Sequence, residues 1–91
     1  MKSKCHYVYI VECADGTFYT GYTTDVERRL NEHNYSISRS AKYTRSRRPV
    51  RLVHAEQFDT VSKALKREHA IKKLSRAQKK KLIEESVQQK K

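Results

Sequence analysis

Residues 7–24, YVYIVECADGTFYTGYTT, decide the fold. The stretch from Cys5 to Cys13 is rich in β-branched and aromatic residues. Apolar groups occupy both parities: Tyr7, Tyr9, Val11 and Cys13 on one, Val8 and Ile10 on the other. Alternate side chains of a strand point to opposite faces, so this pattern predicts an inner strand covered on both sides. Residues 17–22 predict a second strand, and Ala14-Asp15-Gly16 between them is a hairpin signal. Loop length then sets the register. A two-residue Asp-Gly turn places Tyr9 and Tyr19 on opposite faces. A three-residue loop with Gly16 left-handed puts Tyr9 opposite Gly21 and Tyr19 opposite Val11, so both tyrosines share a face. The second register is the expected one, and a Cys13–Thr17 pairing distinguishes it.

Working outward, Thr24-Asp25-Val26-Glu27 has the form of a capping box and opens a helix to about Asn34. Residues 35–49, YSISRSAKYTRSRRP, predict a Ser/Arg-rich loop, long for a chain of 91 residues. Val50–Phe58 predict a third strand and Thr60–Leu74 a second helix. Ser75-Arg76-Ala77-Gln78 is a second capping box, opening a third helix to about Glu85. Residues 86–91 read as a frayed basic tail. The third strand pairs best with the free edge of the first. The expected fold is α/β of the α+β kind: a small three-stranded antiparallel sheet, order 2-1-3, flanked by three helices in the order β-β-α-β-α-α. It forms one domain over residues 1–85.

Composition narrows the function. Lys and Arg number 21 against 10 Asp and Glu, a net charge of +11. A surplus of this size in a short chain points to a polyanionic partner, most simply nucleic acid. No segment joins a broad apolar face to a basic one, and no apolar run approaches a membrane span, so nucleic acid is expected over a membrane as partner. Two cysteines, Cys5 and Cys13, make neither a disulfide framework nor a zinc pattern. They read as buried reduced thiols of a cytoplasmic protein.

Three polar side chains fall on apolar faces. An α-helix advances about 100° per residue. On the first helix Val26 and Leu30 mark the inward stripe; Arg29 lies about 60° from Val26 and His33 about 20°, whereas Arg28 projects about 200° away into solvent. Adjacent arginines therefore have different fates, and Arg29 and His33 meet at i, i+4 spacing. On the second helix Val61, Ala64, Leu65 and Ile71 define the stripe, and Glu68 falls about 20° from Val61. A carboxylate there needs an ion-pair partner or a metal.

These residues resemble the GIY-YIG nuclease domain, in its small stand-alone bacterial branch. Tyr7-Val8-Tyr9 is similar to the first motif, with Tyr7 in place of its leading glycine, and Tyr19-Thr20-Gly21 to the second. The family's arginine matches Arg29, its histidine His33 and its glutamate Glu68 within REHAIKKL. HN at 33–34 and AKYT at 41–44 extend the likeness. The asparagine that many members carry after the final helix has no counterpart. The resemblance implies hydrolysis of phosphodiester bonds by one divalent metal, Mg²⁺ or Mn²⁺, held by Glu68. Arg29 would clamp the phosphate, Tyr9 or Tyr19 would activate water, and His33 would assist. Contacts to the backbone are expected from Arg39, Lys42, Arg45, Arg47, Arg48 and Lys72, and base stacking from Tyr35 and Tyr43. The expected partner is DNA, cut with little sequence preference, with selectivity for shape and a connection to repair. Two rivals stay open: a non-catalytic nucleic-acid binder that keeps the scaffold, and an accessory module of a larger repair or RNA complex.

Overall fold

The structure is a computed structural model that describes residues 5–36 and 38–89. Its strands are β1 (His6–Glu12), β2 (Phe18–Thr23) and β3 (Arg51–Phe58); its helices are α1 (Val26–Tyr35), α2 (Lys42–Arg45), α3 (Val61–Lys72) and α4 (Arg76–Gln89). The sheet is antiparallel with order β2-β1-β3, as the double-sided pattern of β1 requires. The fold class is as expected, with one addition: the long basic loop contains the short helix α2.

The hairpin takes the three-residue loop. Tyr9 pairs with Gly21 and Val11 with Tyr19. The Cys13 N–H donates to Thr17 O at 2.8 Å, and the Gly16 N–H to Cys13 O at 2.9 Å. Gly16 sits at φ 85°, a left-handed conformation that a side chain disfavours. On the other edge, pairing of β1 with β3 slips between Ile10 and Val11, leaving Val53 as the extra residue of a bulge.

β1 separates two cores. Val8 and Ile10 pack with Ala64 and Ile71 of α3 and with Leu74, Leu82 and Ile83 from the α4 side. Tyr9, Val11 and Cys13 pack with Val50, Tyr19 and Leu30 on the α1 side. Burying an aliphatic side chain of this size contributes about 1.5–3 kcal/mol. Glu56 locks β3 to α3, accepting from Arg67 Nε at 2.8 Å and Nη2 at 3.0 Å and pairing with His54 Nε2 at 2.7 Å. His54 and Arg67 together hold the Glu56 carboxyl down at about 2.

Local signals fare unevenly. The second capping box is realised in full: Ser75 Oγ accepts from the Gln78 N–H at 3.2 Å, and Gln78 Oε1 accepts from the Ser75 N–H at 2.9 Å. The first is shifted by one residue, because Asp25, not Thr24, caps α1 and accepts from the Arg28 N–H at 3.1 Å. α4 continues to Gln89, beyond the expected end at Glu85, and Lys90 and Lys91 of the supposed tail lie outside the described residues. Cys13 is buried as expected, whereas Cys5 is only partly so; both are free thiols. Val61 and Leu65 are 44% and 46% exposed, so they do not belong to the inward stripe of α3. That stripe runs through Ala64 and Ile71, and Glu68 lies between them in sequence, four residues after one and three before the other.

Candidate functional site

The site is built on the α1 side of β1 and β2. Tyr9 points from the central strand across Gly21 of the edge strand. A Cβ at residue 21 would stand 2.4 Å from Tyr9 Oη and 2.6 Å from Cζ, so only glycine leaves room for the ring. The Tyr9 hydroxyl reaches His33 Nε2 at 2.7 Å, and His33 Nδ1 reaches Thr44 Oγ1 at 2.9 Å. Thr44 Oγ1 donates its own proton to Ala41 O at 3.1 Å. The Thr44 oxygen therefore accepts at its remaining lone pairs, which puts the imidazole proton on Nδ1 and leaves Nε2 to accept from Tyr9. The four groups form a directed chain from phenol to backbone carbonyl.

Burial sets the protonation of this chain. Tyr9 is 2% exposed and His33 0%. These two are enclosed, whereas Tyr19, Arg29 and Glu68 are partly exposed. Desolvation pushes the Tyr9 phenol up to about 12; the Arg29 guanidinium opposes this, and Tyr19 and Glu68 add to it. Desolvation, followed by repulsion from Arg29, pushes the His33 imidazole down to about 4. Both groups are therefore neutral at pH 7.

Arg29 points inward and Arg28 outward, as helix geometry requires: their side chains are 24% and 54% exposed. Arg29 Nη1 donates to Glu32 Oε1 at 3.0 Å. Glu32 Oε2 also draws Arg28 Nε to 3.6 Å and Arg39 Nη1 to 4.0 Å. Burial works against the Arg29 charge, but Glu32 and Tyr9 more than offset it, and its pKa is raised. Arg29 and Glu68 come from helices on opposite faces of the sheet, yet both charges act on the Tyr9 phenol. Tyr19, on the same face as Tyr9, meets the His33 ring in a T-shaped contact, with centroids 5.4 Å apart.

Glu68 keeps a route to solvent, with 17% of its side chain exposed. Its Oε2 pairs with Lys72 Nζ at 3.2 Å. Among the described residues no cluster of three or more His, Cys, Asp or Glu side chains could enclose a metal ion. A lone accessible carboxylate fits a cation that takes most of its shell from phosphate and water, as Mg²⁺ does.

The basic groups divide into structural and exposed ones. Arg48 caps the end of α1, donating from Nε to His33 O at 2.6 Å and from Nη2 to Ser36 O. Arg45 Nε donates to Ser40 Oγ at 3.2 Å. Arg47 Nε donates to Asp15 Oδ2 at 3.1 Å, and its guanidinium lies 3.9 Å over the Tyr43 ring. Tyr43 in turn stacks on Tyr19, 5.9 Å between centroids. Tyr35, Arg39 and Lys42 are exposed, and Lys72 is exposed beside Glu68. Sequence reasoning missed Thr44 and Asn34 as supports. Asn34 grips the residue that leads into β3 like a strand partner, with Nδ2 donating to Val50 O at 3.0 Å and Oδ1 accepting from the Val50 N–H at 2.7 Å. Both residues stand in the short motifs HN and AKYT, the signal that could have found them.

Sheet order, hairpin and the Tyr–Arg–His–Glu constellation define a known class. The chain belongs to the GIY-YIG family: a sequence profile of the GIY-YIG catalytic domain matches residues 5–81. Its relatives are the UPF0213 proteins. It is 64% identical over 82 residues to the one from Haloquadratum walsbyi, covering 90% of each chain. It is 58% identical over 80 residues to that of Staphylococcus saprophyticus, covering 88% of this chain and 95% of the other. The solution NMR structure of a protein from E. faecalis superposes with a TM-score of 0.61 at 52% identity, over 89% of this chain and 84% of that one. The UPF0213 protein from Bacillus halodurans gives 0.57 at 49% identity, over 88% and 83%. No helix among the described residues is long and apolar enough to cross a membrane.

Proposed function

We propose that the protein is a divalent-metal-dependent endonuclease that hydrolyses phosphodiester bonds of DNA with little sequence preference. The observation that carries this reading is the buried Tyr9–His33 pair, 2.7 Å apart, acted on by the charges of both Arg29 and Glu68. Glu68 is the residue that would hold Mg²⁺ or Mn²⁺, and the ion supplies stabilisation of charge on the leaving oxygen when bound.

The chain's own residues account for the remaining roles. Arg29 offers a planar fork to the non-bridging phosphate oxygens. Doing so requires that it leave Glu32, a carboxylate whose oxygens stand in for those of a phosphate. Tyr9 takes the proton of the attacking water as its own passes to His33 Nε2; Nδ1–H stays on Thr44, which holds the ring in the accepting tautomer. This reading takes Tyr9 over Tyr19 as the base, since it is the Tyr9 hydroxyl that is hydrogen-bonded to His33. In the free protein desolvation holds both groups neutral, which disfavours such a transfer. The relay therefore works only with substrate in place, when cationic charge beside Tyr9 lowers its pKa and developing phosphorane charge favours imidazolium.

The same burial, with Glu68 already paired to Lys72, favours one second reading: a nucleic-acid-binding module on a retained scaffold. Cleavage of supercoiled plasmid in Mg²⁺ or Mn²⁺ by wild type, Glu68→Ala and Arg29→Ala separates the two. Product from wild type alone supports the nuclease. No product from any, with salt-sensitive binding intact, supports the module, and equal product from all three rules out this site.

A further inference from the structure

We propose that the recess beside α2 seats an unstacked nucleobase next to the phosphate handled by Tyr9, Arg29 and Glu68. This rests on the nuclease reading above and names its substrate class: nucleic acid with a single-stranded nucleotide at the point of cleavage.

The recess is lined by Lys42, Tyr43, Arg45, Ser46 and Arg47. Its wall is aromatic and cationic and includes no carboxylate. It is joined to the site by a stack. The Tyr19 and Tyr43 rings lie within 24° of parallel, and the Arg47 guanidinium covers Tyr43 at 3.9 Å. The stack is fixed in advance. Arg47 Nη1 donates to Tyr43 O at 2.8 Å while Asp15 holds Nε. Thr44, the next residue of α2, is tied to His33.

A planar guanidinium held against a tyrosine accepts any base by stacking and reads no sequence. The exposed Lys42 stands ready for a flanking phosphate. In an intact duplex each base is covered by its neighbours and cannot enter; a flap, a loop or a frayed end can, without the cost of extrusion. Tyr43, which lines the recess, stacks on Tyr19, so a base held there lies one ring away from the site.

The test compares oligo(dT) with an abasic strand of equal length in EDTA, by fluorescence anisotropy at one salt concentration. The two strands carry the same phosphates and differ only in bases. Wild type is expected to bind oligo(dT) roughly 5- to 10-fold more tightly. The preference should shrink to within about two-fold in Tyr43→Leu and also in Arg47→Lys, which keeps the charge and loses the plane. Circular dichroism verifies folding, and Arg47→Lys carries the test if Tyr43→Leu unfolds. Equal affinity of wild type for the two strands, or a preference that survives in the folded variants, overturns the seat. Cleavage of a duplex bearing a single-stranded flap, measured alongside in Mg²⁺, separates the claims: a protein that cleaves without preferring bases loses the seat alone, and one that neither cleaves nor prefers bases loses both.

Discussion

The ring of Tyr9 occupies the space where a side chain on Gly21 would begin: a Cβ there would come within 2.4 Å of the phenol oxygen. The glycine of the second motif and the tyrosine of the first are thus one packing unit across two strands. Gly21→Ala must move the ring and break its bond to His33. Stability should fall by about 1–3 kcal/mol, as for overpacking. Cleavage should fall by roughly 100-fold, the usual effect of a misplaced reacting group. Urea denaturation and plasmid nicking measure the two; wild-type activity in Gly21→Ala would mean that the position of Tyr9 is immaterial.

His33 makes stability depend on pH. It is buried, and its pKa lies at about 4 in the folded chain against 6.5 for the free side chain. Between these values the unfolded chain binds more protons than the folded one, so stability falls as pH drops. The loss should be about 3 kcal/mol between pH 7 and 4. Glu56, held down at about 2, contributes stability that is lost only as pH falls below its ordinary range, so the loss between pH 6.5 and 4.5 reports mainly His33. Denaturation midpoints of wild type and His33→Gln across this window check the claim. The slope should flatten in the variant; an unchanged slope would assign it elsewhere.

Glu32 holds Arg29 in the absence of substrate, at 3.0 Å, and draws on Arg28 and Arg39 as well. A phosphate must compete with this carboxylate. Glu32→Gln should therefore bind DNA about two- to five-fold more tightly at low salt, the scale of a partly exposed ion pair. Titration of a labelled oligonucleotide in EDTA reads the change. Unaltered or weaker binding would mean that Arg29 does not leave Glu32.

Arg48 and Lys42 stand in one basic run, yet their neighbours give them different work. Arg48 caps α1 through His33 O and Ser36 O. Its replacement by Ala should cost about 1–3 kcal/mol of stability and leave the salt dependence of DNA binding unchanged. Lys42→Ala should leave stability unchanged and lower the salt slope by about one.

Much of this was legible because the signals were local. Asp15-Gly16 and the parity of two short strands sufficed for the register, and rotation about one helix separated Arg29 from Arg28. The contacts that were not legible join distant segments. Thr44 meets His33 only because α2 folds back on α1, and nothing in a run of Ser and Arg marks which threonine turns inward. Arg48 reads as a phosphate contact until a helix end is found beside it. Val61 and Leu65 look inward on a helical wheel, but a three-stranded sheet is too narrow to cover the whole of α3. The same wheel placed Glu68 well because Ala64 and Ile71 flank it on the covered line.

The most direct test of the site is single-turnover cleavage by Tyr9→Phe in saturating Mg²⁺, beside Tyr19→Phe. Removal of one hydroxyl leaves the ring against Gly21 and takes away the proposed base, the group hydrogen-bonded to His33. Loss of general-base catalysis should slow Tyr9→Phe by about 10²–10⁴-fold, with DNA affinity retained and a clearly smaller effect in Tyr19→Phe. A Tyr9→Phe protein that cleaves at the wild-type rate contradicts the account.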